Sequence, residues 1–347
     1  MTRRLIPITL LTGFLGAGKT TALNHLLSQD VGEKIAVIVN EFGELGIDDA
    51  LIVGASEGVV EMSNGCICCS ISGELNRTLL DLIKRRTPID RVVVETTGLA
   101  DPSPIALSLL KDRALVNFYA LDAIVTIVDS LHAPLQLDRS PEAPRQVGFA
   151  DLIALNKVDL VDEVHLEALE ARVRRLNPNA QILRTRQGRV ARELLLDRSG
   201  FDPRRIEADD PAFARAHSHD HDHDHDHDHH HEGDHGHEGA HDEAVTSVCL
   251  ELDAPLDGAR VDAWLRSLVQ HHGDDIYRLK GILDLAGQSH RCVFHGIHHL
   301  IGAHLDRPWP VGAPRRSRMV FIGRALDRPM IEAGLRACLA GSQGGGA

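Results

Sequence analysis

The chain has 347 residues, 43% hydrophobic and 25% charged, a length that exceeds one ordinary core and suits two domains of a soluble globular protein. Its net charge of -13 is concentrated: residues 217–243 hold ten Asp/Glu and no Lys/Arg, so the rest is near neutral and gives no electrostatic case for nucleic-acid binding. No apolar run reaches the roughly eighteen residues of a membrane span, and the apolar stretch after Arg4 runs into a Gly-rich loop that signal cleavage would destroy, so a cytoplasmic protein without a membrane partner is expected. Six cysteines in a chain of this kind point to metal or redox chemistry rather than a disulfide framework.

In chain order, Ile8–Thr12 reads as a buried strand, residues 13–20 as a Gly-rich loop and Lys19–Gln29 as the helix after it. Strands follow at Ile35–Asn40, Val92–Glu95, Ile124–Val128 and Leu152–Asn156, with helices over Glu74–Lys84 and His165–Leu176. Their continuous Ile/Val/Leu character fits strands covered on both faces, hence an α/β domain with a mainly parallel sheet over residues 1–210. Residues 211–243 form a linker whose core, 217–241, interleaves twelve His with Asp, Glu and Gly; so little apolar area predicts disorder without metal. Beyond it Val245–Leu252, Ile276–Leu285, Arg291–His299 and Arg318–Ile322 read as strands, and Val261–His272 and Arg328–Leu339 as helices. This is a small α+β domain over residues 244–340, built on an antiparallel sheet.

Gly13-Phe14-Leu15-Gly16-Ala17-Gly18-Lys19-Thr20 has the full G-x-x-x-x-G-K-T spacing between a strand and a helix. Its glycines let backbone N–H groups close on phosphate oxygens, and the helix N-terminus adds a favourable dipole. Lys19 is assigned to the β/γ-phosphates and Thr20 to Mg²⁺, with Thr21 completing the loop. Asn156-Lys157-Val158-Asp159 follows an apolar strand. There Asp159 can accept from guanine N–H groups, Asn156 can bond the base edge, and the Lys157 stem can cover the ring, favouring GTP over ATP. Glu95 ends another strand where a Mg²⁺-linked carboxylate belongs, an ordinary polar strand end being the plain alternative, and Gly98 lets the next backbone approach the γ-phosphate. Residues 40–49 read as a mobile switch in which Glu41, Glu44, Asp48 and Asp49 are unranked candidates for orienting water or binding metal, with Asp48 taken for the water and Glu41 and Glu44 for the metal; solvated carboxylates are the plain alternative.

Cys66, Cys68 and Cys69 offer three sulfurs within four residues after Asn64-Gly65. Thiolates select Zn²⁺, Co²⁺ or Cu⁺, and three of them leave a fourth position open for transfer; buried structural cysteines and a redox pair are the alternatives, though the spacing is not the C-x-x-C of thioredoxin-type chemistry. Cys249, Cys292 and Cys338 sit in apolar contexts and read as core residues. The His-rich tract reads as a weak multivalent metal site. His295, His298, His299 and His304 cluster in the second domain, either as metal-facing groups or as ordinary surface and core histidines.

On these residues the chain resembles the CobW-like family of P-loop GTPases, and within it the YjiA-like branch. The likeness is carried by T-G-F-L-G-A-G-K-T-T at Thr12–Thr21, N-E-F-G-E at Asn40–Glu44 and N-G-C-I-C-C at Asn64–Cys69. It continues through E-T-T-G-L-A-D-P at Glu95–Pro102, Val128-Asp129 and Asn156–Asp159, then Lys280-Gly281, Arg307-Pro308-Trp309 and M-V-F-I-G at Met319–Gly323 of a CobW-type C-terminal domain. The resemblance implies a GTP-dependent metallochaperone that slowly hydrolyses GTP to GDP and phosphate and delivers zinc, or cobalt, to a client metalloprotein. Mg-GTP would order the switch regions and complete the thiolate site formed by Cys66, Cys68 and Cys69. Alternatives are a metal-buffering protein based on the His tract, a cobalt chaperone in cobalamin biosynthesis, and a P-loop kinase or ATPase, which the N-K-V-D run disfavours. A homodimer is compatible with the sequence.

Overall fold

The computed structural model describes residues 5–29, 32–39, 70–84, 89–196 and 245–341. Glu41, Glu44, Asp48, Cys66, Cys68, Cys69 and the His-rich tract lie outside the described residues.

Apolar runs build the first sheet. Strands β1 (Ile6–Thr12), β2 (Ile35–Val39), β3 (Arg91–Glu95), β4 (Tyr119–Asp129), β5 (Leu152–Asn156) and β6 (Gln181–Arg184) lie in the order β2-β3-β1-β4-β5-β6, all parallel. β1, β3, β4 and β5 are buried along almost their whole length, as a sheet flanked on both faces requires. The flanking helices are α1 (Lys19–Ser28), α2 (Ser70–Lys84), α3 (Ser103–Lys111), α4 (Ala133–Arg139), α5 (Glu142–Phe149), α6 (Glu163–Leu176) and the single turn α7 (Arg192–Leu195).

β4 begins five residues before the expected Ile124, because Asp122 interrupts its apolar pattern. That carboxylate is buried, accepts from Thr9 Oγ1 at 3.2 Å and lies 3.7 Å from Arg91 Nη1. Helices α3, α4 and α5 escape the sequence pattern for a different reason: each is short and carries a proline in its first turn (Pro104, Pro134, Pro144). Proline is tolerated there because those N–H groups have no partner within the helix. α6 starts two residues before the expected His165 because the Asp162 side chain accepts from His165 N at 2.8 Å and caps the helix.

The second domain is an antiparallel sheet of order β10-β9-β8-β11-β7, from β7 (Val245–Leu252), β8 (Ile276–Leu283), β9 (His290–Ile297), β10 (Leu300–Pro308) and β11 (Ser317–Arg324). Helices α8 (Gly258–His272) and α9 (Arg328–Ala337), capped by Asp257 and Asp327, cover one face. Val261, Leu265 and Leu268 of α8 and Ile331 and Leu335 of α9 pack there against Leu279, Phe294 and Phe321. Strand β10 was not anticipated; the chain reverses at His298, which adopts φ 50° and bonds Gly273 O through Nδ1 at 2.8 Å, without the usual Asn-Gly signal. Cys292 and Cys338 are buried and Cys249 is partly so, as expected of core residues.

Tyr277, Ile297, Val320, Ile322 and Val245 of the sheet's other face join Phe149, Leu115 and Ile105 of the first domain in one apolar cluster. Both tryptophans belong to the second domain: Trp264 meets Phe321 edge-on at 6.2 Å, and Trp309 packs on Ile282 and Val293 beneath Arg291. No helix among the described residues is long and apolar enough to cross a membrane.

Candidate nucleotide site

In a parallel sheet every strand delivers its C-terminal end to the same edge, and ligands sit outside that edge where the strand order reverses. Here β1 is flanked by β3 and β4. The edge therefore collects the Gly-rich loop after β1, Glu95 at the end of β3, Asp129 at the end of β4 and Asn156 at the end of β5.

The loop from Gly13 to Gly18 wraps back so that Ala17 N donates to Phe14 O at 3.1 Å. Lys19 folds over it, donating from Nζ to Gly13 O at 2.9 Å and to Phe14 O at 3.3 Å. Its ammonium thus occupies the concavity that phosphate oxygens would share with the loop's N–H groups. Gly18 is required by conformation and by space: its φ is +100°, and a Cβ there would lie 2.5 Å from Asn156 Nδ2. Thr20 and Thr21 open α1 and are exposed.

Thr20 Oγ1 donates to Glu95 Oε1 at 2.8 Å, joining the loop's last hydroxyl to the buried carboxylate of β3. Two hard oxygen donors side by side at a phosphate loop fit Mg²⁺. The following strand end is tied to β1 through Thr96 Oγ1, which donates to Thr12 Oγ1 at 2.9 Å. Gly98 then approaches the Gly-rich loop so closely that a Cβ would stand 2.7 Å from Leu15 N. Among the described residues, the buried Thr97 Oγ1 between them has no hydrogen-bond partner.

Asn156 makes two contacts besides the base-edge contact expected of it. It is 2% exposed; its Nδ2 donates to Ala17 O at 2.9 Å and its Oδ1 accepts from Gly188 N at 2.9 Å. Both amide atoms are engaged, so Asn156 fastens the phosphate loop to the turn after β6. That turn was missed in the sequence, which carries no distinctive motif there, yet Gly188 presses on α1 so that a Cβ would lie 2.7 Å from Ala22 N. Lys157, at φ 62°, sends Nζ to Asp129 Oδ2 at 2.7 Å, and Asp159 stands exposed on a one-turn 3-10 helix, Val158–Leu160. Burial pushes the Asp129 carboxyl up, but hydrogen bonds from Lys157 and His132 outweigh it and hold the group below the usual range.

The histidines of the second domain do not gather into one site, although His304 lies close enough to His295 to act on its charge. His299 bonds Val269 O at 2.6 Å and Asp274 at 2.9 Å, while His298 is spent on Gly273. Among the described residues no three His, Cys, Asp or Glu side chains come together in a way that could hold a metal.

Comparison with known proteins agrees with this geometry. Residues 7–184 match the CobW/HypB/UreG nucleotide-binding domain, and residues 245–339 the cobalamin synthesis protein cobW C-terminal domain. The chain is 38% identical to the zinc chaperone YjiA of Escherichia coli K12 over 94% of its own length and 97% of that protein's. It is 34% identical to the zinc chaperone CobW of Pseudomonas aeruginosa, covering 96% of this chain and 92% of the relative. The crystal structure of Zn(II)-bound YjiA GTPase from E. coli superposes with a TM-score of 0.74 at 32% identity, over 97% of this chain and all of that one. By sequence match, domain order and shared architecture, the chain belongs to the CobW/HypB/UreG family of nucleotide-binding proteins with a CobW C-terminal domain.

Proposed function

We propose that this protein is a GTP-dependent zinc chaperone: a slow GTPase that captures the ion with GTP bound and yields it to a client metalloprotein after hydrolysis. The observation that carries the reading is the joined Thr20–Glu95 pair beside a complete phosphate loop, in a chain whose near full-length relatives are named zinc chaperones. Lys19, folded over the Gly-rich loop, holds the β- and γ-phosphates, and Asp159 reads guanine from its exposed turn. Thr20, with Glu95 beside it, would hold Mg²⁺, which neutralises charge on the phosphates. Glu95 also supports the hydrolytic site, and Asp48 orients the attacking water. Cys66, Cys68 and Cys69 take the transferred ion, with Glu41 and Glu44 as further metal-binding groups. Zinc is favoured over cobalt by the relatives' names, since a thiolate set alone accepts either.

Linkage supplies the logic: if GTP stabilises the metal-competent state, metal must tighten GTP binding by the same factor. A competition titration should show zinc held at least about tenfold more tightly with a GTP analogue than with GDP. Cys68→Ser should lose that tight site while nucleotide affinity stays intact. Equal zinc affinity in the two nucleotide states would remove the switch. A metal-buffering reading rests on the twelve histidines of 217–241. Deleting them should leave one tight site in a chaperone and almost no capacity in a buffer.

A further inference from the structure

We propose that helix α5 couples the nucleotide site to the C-terminal sheet, with Gln146 as the positioning residue that ties the loop after Glu95 to it; the inference rests on nucleotide binding at the Gly-rich loop.

Gln146 is 1% exposed, and its Nε2 donates to Gly98 O at 3.1 Å and to Ala100 O at 3.0 Å. One side chain thus uses both amide hydrogens on the segment that lies against Leu15 of the phosphate loop. The neighbouring Arg145 carries a second tie: its Nη1 is 3.8 Å from Asp101 Oδ2, and its guanidinium lies 5.9 Å from the centre of the Tyr277 ring in β8. Loop, helix and second domain are joined there by one side chain.

Three residues further on, the same helix is embedded in the second domain. Phe149 stacks on Tyr277 at 5.3 Å and meets His298 at 5.4 Å, and Gly148 faces Ile322, Val245 and Tyr277 at a distance that leaves little room for a Cβ. Arg278 donates to Phe149 O and to Asp151, which also accepts from Lys280 at 2.6 Å.

The helix cannot readily yield between these two attachments. The last carbonyls of a helix lack intrahelical partners. Here Thr126 Oγ1 serves Gln146 O at 2.8 Å, Asn177 Nδ2 serves Val147 O at 2.8 Å and Gly148 O at 3.2 Å, and Arg278 serves Phe149 O. A displacement of Gly98 toward or away from a γ-phosphate must either break both bonds to Gln146 or carry α5 with it, and α5 cannot move without β8 and the His298 turn. Coupling of this kind runs through contiguous packed groups and acts equally in both directions.

The test is hydrogen–deuterium exchange of the full chain with GDP and with a non-hydrolysable GTP analogue, in the natural protein and in Gln146→Met, which keeps the side-chain length and removes both donors. In the natural protein, amides of residues 276–299 should exchange at rates that differ by at least about twofold between the two nucleotides. In Gln146→Met that difference should vanish while both nucleotides still protect residues 13–21. Arg145→Gln, at a partly exposed position, should reduce the same difference even where Gln146→Met proves too unstable. The reciprocal effect is read from Lys280→Met, which should change the ratio of analogue to GDP affinity by roughly fivefold. A response at 276–299 that persists unchanged in both helix variants, or is absent from the natural protein, overturns the coupling. Absence of any protection at 13–21 overturns the nucleotide reading and the coupling with it.

Discussion

The hydroxyl of Thr20 and the carboxylate of Glu95, seventy-five residues apart in the chain, meet at 2.8 Å across the mouth of the first sheet. That hydrogen bond satisfies one oxygen of the buried Glu95 carboxylate, and a cation held there with nucleotide would add a charge opposite it. Glu95→Gln should therefore slow single-turnover GTP hydrolysis by roughly a hundredfold or more, with nucleotide affinity changed far less. Hydrolysis within threefold of the natural rate would remove Glu95 from the reaction.

The exposed Asp159 predicts a change of base preference. Asp159→Asn exchanges an acceptor-only group for one that also donates, which suits a xanthine edge better than a guanine edge. GTP should bind at least about tenfold more weakly, and xanthosine triphosphate should recover much of the loss. Undiminished GTP selectivity over ATP in this variant would place base recognition elsewhere.

Between the domains, Asp151 is 7% exposed and Arg278 1% exposed, so the pair is removed from water on all sides. Burial pushes the Asp151 carboxyl up, but the charges of Arg278 and Lys280 outweigh it and keep the group below the normal range. Arg278→Met leaves Asp151 with Lys280 and Ile124 N, and should cost about 1.5–3 kcal/mol in urea unfolding. Adding Asp151→Leu to that variant should restore part of the loss, because it removes a buried carboxylate left with one cation in place of two. A double variant with fully additive losses would contradict this.

Acidification should weaken the protein through His295. Burial, followed by the charges of Lys280, Arg278 and His304, lowers its pKa to about 4, against only partial compensation from Asp151. The folded state therefore keeps the imidazole neutral where the unfolded chain, with a pKa of about 6.5, takes up a proton. This contribution is complete above about pH 6.5 and is lost progressively as the pH falls toward 4, with a slope of up to about 1.4 kcal/mol per pH unit. His295→Gln should flatten the urea-midpoint profile in that window; an unchanged profile would assign the acid sensitivity to other groups.

Much of the architecture could be read from residue order alone, because buried parallel strands are written as uninterrupted Val/Ile/Leu runs and the phosphate loop as a contiguous spacing. What escaped was non-local. Asp122 hides half of β4 since its partners Thr9 and Arg91 come from other strands, and proline-headed helices leave no long amphipathic stripe. Gln146 and Asn177 look like ordinary polar residues near helix ends, yet each serves carbonyls at least 27 positions away. Asn156 shows the same limit at the site itself. Its motif marks the right place, but its task of bracing Ala17 against Gly188 follows from two loops that meet only after folding. The thiolates and the switch carboxylates, contiguous in sequence, lie outside the described residues.

With both indoles on the far side of the Arg278–Asp151 junction, at Trp264 and Trp309, the nucleotide-binding half of the chain is dark to excitation at the red edge of protein absorbance. Emission from the native molecule is thus a built-in reporter of the C-terminal half alone. Any change in colour or brightness that follows nucleotide addition must have crossed from one domain to the other before it could be seen.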